Sequence, residues 1–258
     1  MKISLRFSGL FLATLLVTIG FFAPTAQANH AWGEYHWARS ANPFTLKLGD
    51  NMSSTWDPYL SVASSDWSNS TVLDTTIIKG QGFARLCRAV NGRVEVCNSK
   101  YGSNGWLGIA TIWASGNHIT QGTVKMNDTY FNTSKYNTPA WKQFVTCQEV
   151  GHVFGLNHQD ETFGNPNLGT CMDYTSDPST NQHPNQHDYD MLETIYAHLD
   201  GFTTILSSAF LTGFSEIDTE SPSEWGRSLR ESRDGRSSLY ERDLGFGRKM
   251  FTFVIWAD

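Results

Sequence analysis

The dodecapeptide Cys147–His158, CQEVGHVFGLNH, packs a carboxylate, two imidazoles and an amide into a segment whose spacing can bring them together. On a helix, residues four apart share a face, so Gln148 and His152 project the same way, with Glu149 one step round from Gln148. Gly155 has no Cβ and can take the left-handed conformation that ends a helix in a sharp turn. The chain can then return His158 toward His152. Such a cluster suits hydrolytic metal chemistry: imidazoles hold a divalent ion, an open position takes water, and a nearby carboxylate accepts its proton. Gln148 offers a neutral amide oxygen, a poorer zinc donor than imidazole nitrogen, at a comparable point on the helix face. This reading nominates His152 and His158 as metal ligands, Gln148 as a weak third, and Glu149 as general base. One Zn²⁺ is the expected cofactor, and an oxygen-richer shell would favour another divalent metal. A core helix with hydrogen-bonded histidines is the bland alternative.

A helix must carry this cluster, and its signals are present. Thr138 is a capping residue and Pro139 a favoured first helical residue, so a helix is expected from there to Gly155, buried because its second half is apolar on several faces. Upstream, Phe44, Leu46 and Leu48 alternate with polar residues as in a half-buried strand. The apolar spacing from Ser53 to Ser68 predicts a helix, with Ser53 or Ser54 as cap, and LDTTIIKG a second strand. Arg85–Val96 reads as a hairpin about Asn91-Gly92, GWLGIATIW at 105–113 as a strand, and HITQGTVKMN as its return. HDYDMLETIYAHL at 187–199 predicts an amphipathic helix; His183 and His187 at its start are expected to be exposed and polar. Residues 225–258 predict a short β meander turning at Asp234-Gly235 and at Leu244–Gly247.

With these elements in place, the segment resembles the metzincin signature H-E-x-x-H-x-x-G-x-x-H, matched at Glu149, His152, Gly155 and His158 and broken at Gln148. Met172-Asp173-Tyr174 resembles the methionine turn of astacins and serralysins, which implies that Met172 lies beneath the metal and that Tyr174 stabilises the oxyanion. GWLGIATIW and its return strand resemble the matrixin edge strand, which implies that Leu107, Gly108, Ile109 and Ala110 pair with an extended peptide substrate. HDYDMLETIY is similar to the matrixin C-terminal helix. The resemblance covers roughly residues 37–200 and implies an α+β fold: a zincin-like, metzincin-like catalytic domain with a twisted mixed β-sheet, a central active-site helix and a C-terminal helix. The implied activity is metal-dependent endopeptidase cleavage of peptide or protein substrates. The alternative is a non-catalytic binding protein on the same scaffold.

Lys2 and Arg6 precede an apolar run from Leu10 to Ala23 that closes on Ala26-Gln27-Ala28, so residues 1–28 are expected to be a signal peptide and the protein to be secreted. Residues 29–200 are then the metallopeptidase domain and 201–258 a C-terminal extension. A net charge of −6 argues against a nucleic-acid partner, and no membrane contact is expected once the signal is removed; a monomer is expected. Four cysteines in an exported chain predict disulfides, with three pairings possible. Cys87–Cys97 and Cys147–Cys171 are preferred because each joins segments that the motifs bring together. The first pair requires a longer loop or a bulge at Asn91-Gly92, and the second would staple the helix to the methionine turn.

Overall fold

The structure, a computed structural model, describes residues 30–205 and 219–258; the expected signal peptide lies outside them. The fold is α+β, with a nine-stranded mixed sheet and its main helices packed against one face. Strands β1 (His36–Trp37), β2 (Phe44–Asn51), β3 (Leu73–Lys79), β4 (Val94–Ser99), β5 (Trp106–Ser115) and β6 (His118–Asn127) are joined by β7 (Arg227–Glu231), β8 (Ser237–Gly245) and β9 (Arg248–Trp256). The order is β3-β2-β4-β6-β5-β9-β8-β7, with β1 also pairing β6. Pairing is parallel from β3 through β4 to β6 and antiparallel from β6 through β5 and β9 to β7.

Helices α1 (Asp57–Trp67), α2 (Asp128–Phe131), α3 (Pro139–His152) and α4 (Gln186–Ile195) complete the fold. The alternation of β2 behaves as its sequence predicts, with Phe44, Leu46 and Leu48 buried. Helix α1 starts later than expected. Ser53 accepts backbone bonds from Trp56 and Asp57 in a preceding turn, and no side chain caps the helix. Helix α3 starts as predicted, the Thr138 hydroxyl accepting from the Trp141 amide at 3.2 Å. Asn185 and Asp188 form a reciprocal capping box at the start of α4. Among the described residues no helix is long and apolar enough to cross a membrane.

Two expectations are corrected. Residues 85–93 are turns rather than the first arm of a hairpin, because both edges of β4 are taken in parallel by β2 and β6. The Cys87–Cys97 disulfide forms nonetheless, with Cα atoms 5.9 Å apart and Cys87 at φ +44°. The C-terminal meander exists with both predicted turns, but it is no appendage. β9 pairs with β5 along nearly its whole length and places the meander within the same sheet.

That placement explains the two cores. Leu107, Ala110 and Ile112 of β5 pack on the helical side with Phe144, Val145 and Val150 of α3. Trp106, Ile109 and Trp113 pack on the other side with Trp225, Met250 and Val254. A register shift between Trp106 and Gly108 sets which β5 residues face which core.

Candidate metal centre

Helix α3 lies against β5 where Gly108 removes a side chain. A Cβ built there would sit 2.6 Å from Val145 Cγ1 and 3.0 Å from Glu149 Oε1. On the next turn, a Cβ at Gly151 would sit 2.6 Å from Met172 Sδ and 2.7 Å from Trp67. The two glycines let the helix approach the sheet on one side and the methionine turn on another. Met172 is thus packed beneath α3, where the turn was expected, and the Cys147–Cys171 disulfide clamps the turn to the helix with Cα atoms 5.9 Å apart.

The end of α3 is buried, so its last carbonyls must find donors other than water. Aromatic side chains supply them. Trp32 Nε1 donates to the His152 carbonyl at 3.4 Å, Trp37 Nε1 to that of Val153 at 2.8 Å, and the Tyr196 hydroxyl to that of Phe154 at 2.8 Å. Gly155 follows at φ +99°, where a Cβ would lie 2.5 Å from the Tyr35 carbonyl, so a side chain is excluded twice over. The chain then turns back, bridging Leu156 to Ala31. Gln159 donates to the Met172 carbonyl at 2.6 Å, and Tyr174 to that of Asp160 at 3.1 Å. These bonds deliver His158 to the helix.

The result is a closed cluster. The rings of His152 and His158 meet at 4.4 Å, nearly perpendicular, and Tyr174 lies 4.0 Å from His158. Gln148, Glu149, His152 and Tyr174 are essentially inaccessible, and His158 is 7% exposed. His152 Nδ1 is 2.9 Å from the Leu156 carbonyl. A carbonyl only accepts, so the proton is on Nδ1 and Nε2 keeps its lone pair. Gln148 Nε2 donates to the Cys171 carbonyl at 2.9 Å, which pins the amide and turns Oε1 the other way.

Among the described residues, Gln148 Oε1, Glu149 Oε2 and both ring nitrogens of His158 have no hydrogen-bond partner. Glu161 Oε1 stands 3.6 Å from His158 Nδ1, beyond hydrogen-bond reach. Buried lone pairs without donors are costly, and a divalent ion with its water is what such a donor set fits. Burial pushes the Glu149 carboxyl well above the usual carboxylate range. Burial first, and then its neighbour His158, hold His152 well below the usual imidazole range. Burial, followed by Arg230 and His30, does the same to His158. The imidazoles are therefore neutral, the form that ligates.

The substrate strip expected at Leu107, Gly108, Ile109 and Ala110 is a correction. Gly108, Ile109 and Ala110 pair with Ile255, Val254 and Phe253 of β9 on one edge and with β6 on the other. Leu107 lies at the register shift, packed into the core. No free edge is left there for β-augmentation. Tyr174 also differs from expectation: its hydroxyl donates to Ser237 of β8 and burial raises its pKa well above the usual phenol value. Sequence reasoning missed the groups that the meander adds, chiefly Phe253, stacked 4.2 Å from His152, and Arg230, 3.0 Å from Glu161. One signal was available: FTFVIWA is apolar at nearly every position, as befits a strand covered on both faces. His183 is exposed and bonded to Asp66 at 2.6 Å, as expected, whereas His187 is partly covered and stacks on His30 at 4.6 Å.

No family model and no curated protein matches the chain. Among solved structures it is similar to high choriolytic enzyme 1, a hatching-enzyme zinc protease from Oryzias latipes (medaka fish). The identity is 7% and the TM-score 0.36, over 63% of this chain and 94% of that one. It is also similar to myroilysin at 11% identity and a TM-score of 0.35, over 68% of this chain and 98% of that one. Likenesses of that size assign neither a family nor an activity.

Proposed function

We propose that the protein is a metal-dependent endopeptidase of metzincin type, exported from the cell, with Gln148, His152 and His158 as ligands to one zinc ion. The observation that carries this reading is the buried set of unpartnered donors, Gln148 Oε1, Glu149 Oε2 and the His158 nitrogens, beside a His152 ring whose Nε2 lone pair is free. Two disulfides fit an oxidising compartment.

Bound zinc would supply a Lewis acid that polarises a peptide carbonyl and acidifies water. The protein's own groups do the rest. The Leu156 carbonyl holds His152 in the ligating tautomer, and the Cys171 carbonyl holds the Gln148 amide with its oxygen available. Glu149, whose burial strengthens its hold on a proton, takes one from water and passes it to the departing amine. Phe253 and the walls around His152 and His158 exclude bulk water, which strengthens each electrostatic contact.

A second reading, a metal-holding binding protein without turnover, is favoured by one observation: β9 covers the edge of β5, and its Phe253 lies on His152. Metal content and cleavage of an unbiased peptide library, measured on wild type, Glu149→Gln and Gln148→His, decide between them. The peptidase reading expects zinc in all three, cleavage lost in Glu149→Gln, and tighter zinc in Gln148→His. Zinc without cleavage in wild type selects the binding reading.

A further inference from the structure

A second group of donors converges away from α3. Parallel pairing of β1 with β6 sets His36 directly beside His118. The segment after α4 brings His198 and Asp200 to the same place, where the Asp200 amide donates to the Arg39 carbonyl at 2.9 Å. Asp200 Oδ1 then lies 3.4 Å from His36 Nε2, 3.2 Å from His118 Nε2 and 3.8 Å from His198 Nε2. His36 Nε2 and His198 Nε2 are 3.1 Å apart.

The protonation pattern is the informative part. His36 Nδ1 is 2.7 Å from the Glu34 carbonyl, so Nδ1 carries a proton. A neutral His36 therefore presents a lone pair to Asp200 Oδ1, an atom that also only accepts. The other carboxylate oxygen is already served by Arg39, through its guanidinium at 2.9 Å and its amide at 3.1 Å. A cation between Oδ1 and the imidazole lone pairs would satisfy both.

The geometry points to the metal. We infer that His36, His198 and Asp200, whose ligand atoms converge on one point, form a second zinc-type site. Donors about 2.0–2.2 Å from one tetrahedral ion stand roughly 3.3–3.6 Å from each other, and the three separations among His36 Nε2, His198 Nε2 and Asp200 Oδ1 run from 3.1 to 3.8 Å. Two imidazoles and one carboxylate, with water in the fourth place, are a donor set for zinc rather than for calcium or magnesium. The Glu34 carbonyl is the outer partner that fixes a ligating histidine. The His36 and Asp200 side chains are 7% and 8% exposed, while that of His198 is 55% exposed, so the ion can enter from solvent.

The site shares no residue with the cluster on α3, yet it bears on it. Trp37, next to His36, donates to the Val153 carbonyl at the end of α3. An ion here would join β1 to the segment after α4, and so hold that indole in place.

Elemental analysis of zinc in wild type and His198→Ala tests the inference, because the difference between the two proteins is independent of the α3 cluster. His198 is half exposed and its loss leaves Arg39–Asp200 intact, so the fold should survive. Wild type is expected to hold one zinc more than His198→Ala. Zinc at a hundredfold excess over Kd should raise the Tm of wild type by roughly 5–10 °C more than that of His198→Ala. Co²⁺ titration reads the same site as visible bands of a four-coordinate ion that wild type shows beyond those of His198→Ala. If only the α3 cluster fails to bind, His198→Ala loses the protein's whole zinc content. Equal zinc and equal Tm shifts in wild type and His198→Ala would mean that the imidazoles share protons alone, and would overturn the inference.

Discussion

Substitution of Gly108 by Ala probes the contact on which the position of Glu149 depends. The added methyl would meet Val145 Cγ1 at 2.6 Å and Glu149 Oε1 at 3.0 Å, both on a helix clamped by a disulfide on its far side. Neither atom can yield without moving α3 or displacing the carboxylate. Overpacking of this kind costs about 1–3 kcal/mol. For a chain of this size that is a fall in Tm of roughly 2–12 °C, readable by calorimetry or circular dichroism of zinc-loaded protein. The same displacement should weaken any cleavage that depends on Glu149, by more than the stability loss explains. Gly164→Ala is the control: a Cβ there meets nothing within 4 Å, and its φ is not in the left-handed region. It should leave Tm within about 1–2 °C, because it touches none of the features that make substitutions costly. A Gly108→Ala protein as stable as Gly164→Ala would show that α3 does not lie on β5 as described.

Further outcomes follow from the same contacts. Replacing Cys147 and Cys171 together by Ser opens a link of sequence separation 24, and should destabilise the protein by about 3 kcal/mol on chain-entropy grounds, measured by denaturant unfolding. In metal-free protein, His152 and His158 have folded pKa values held below the usual 6.5, first by burial. Their contribution is complete above pH 6.5 and is lost as pH falls below it, because the unfolded chain then takes up protons that the folded chain refuses. The slope is up to ~1.4 kcal/mol per pH unit for each histidine. Glu149 acts in the opposite sense, since its raised pKa removes stability as pH rises above 4.5. Saturating zinc should carry this loss on to lower pH, because a ligated imidazole refuses protons further down, and an identical profile with and without zinc would refute the assignment of the two rings as ligands.

The sequence was most readable where structure is local. Thr138, Pro139 and Gly155 mark the ends of α3 because caps, proline and left-handed glycine act within one turn. The return of His158 follows from that glycine. Cys147–Cys171 and the place of Met172 were also legible, since both lie close to the helix in sequence. Long-range pairing was not. Asn91-Gly92 carries a hairpin signal, yet β4 is claimed on both sides by strands from distant segments, and no turn residue encodes that. The pairing of β9 with β5 escaped for the same reason. It converts an apparent substrate edge into an interior strand and brings Phe253 and Ser237 to the cluster. His36, His118, His198 and Asp200 are scattered along the chain, and of their relations only the short His198-Leu199-Asp200 spacing is visible before folding.

Zinc bound at the α3 cluster is measured most directly in the His198→Ala background, where the second group of donors is disabled. Elemental analysis after desalting should find one zinc per chain in His198→Ala and none once His152→Leu is added, because no donor atom then replaces the Nε2 lone pair freed by the Leu156 carbonyl. Zinc absent from His198→Ala, or retained undiminished in the double variant, would contradict the assignment of Gln148, His152 and His158 as a metal centre.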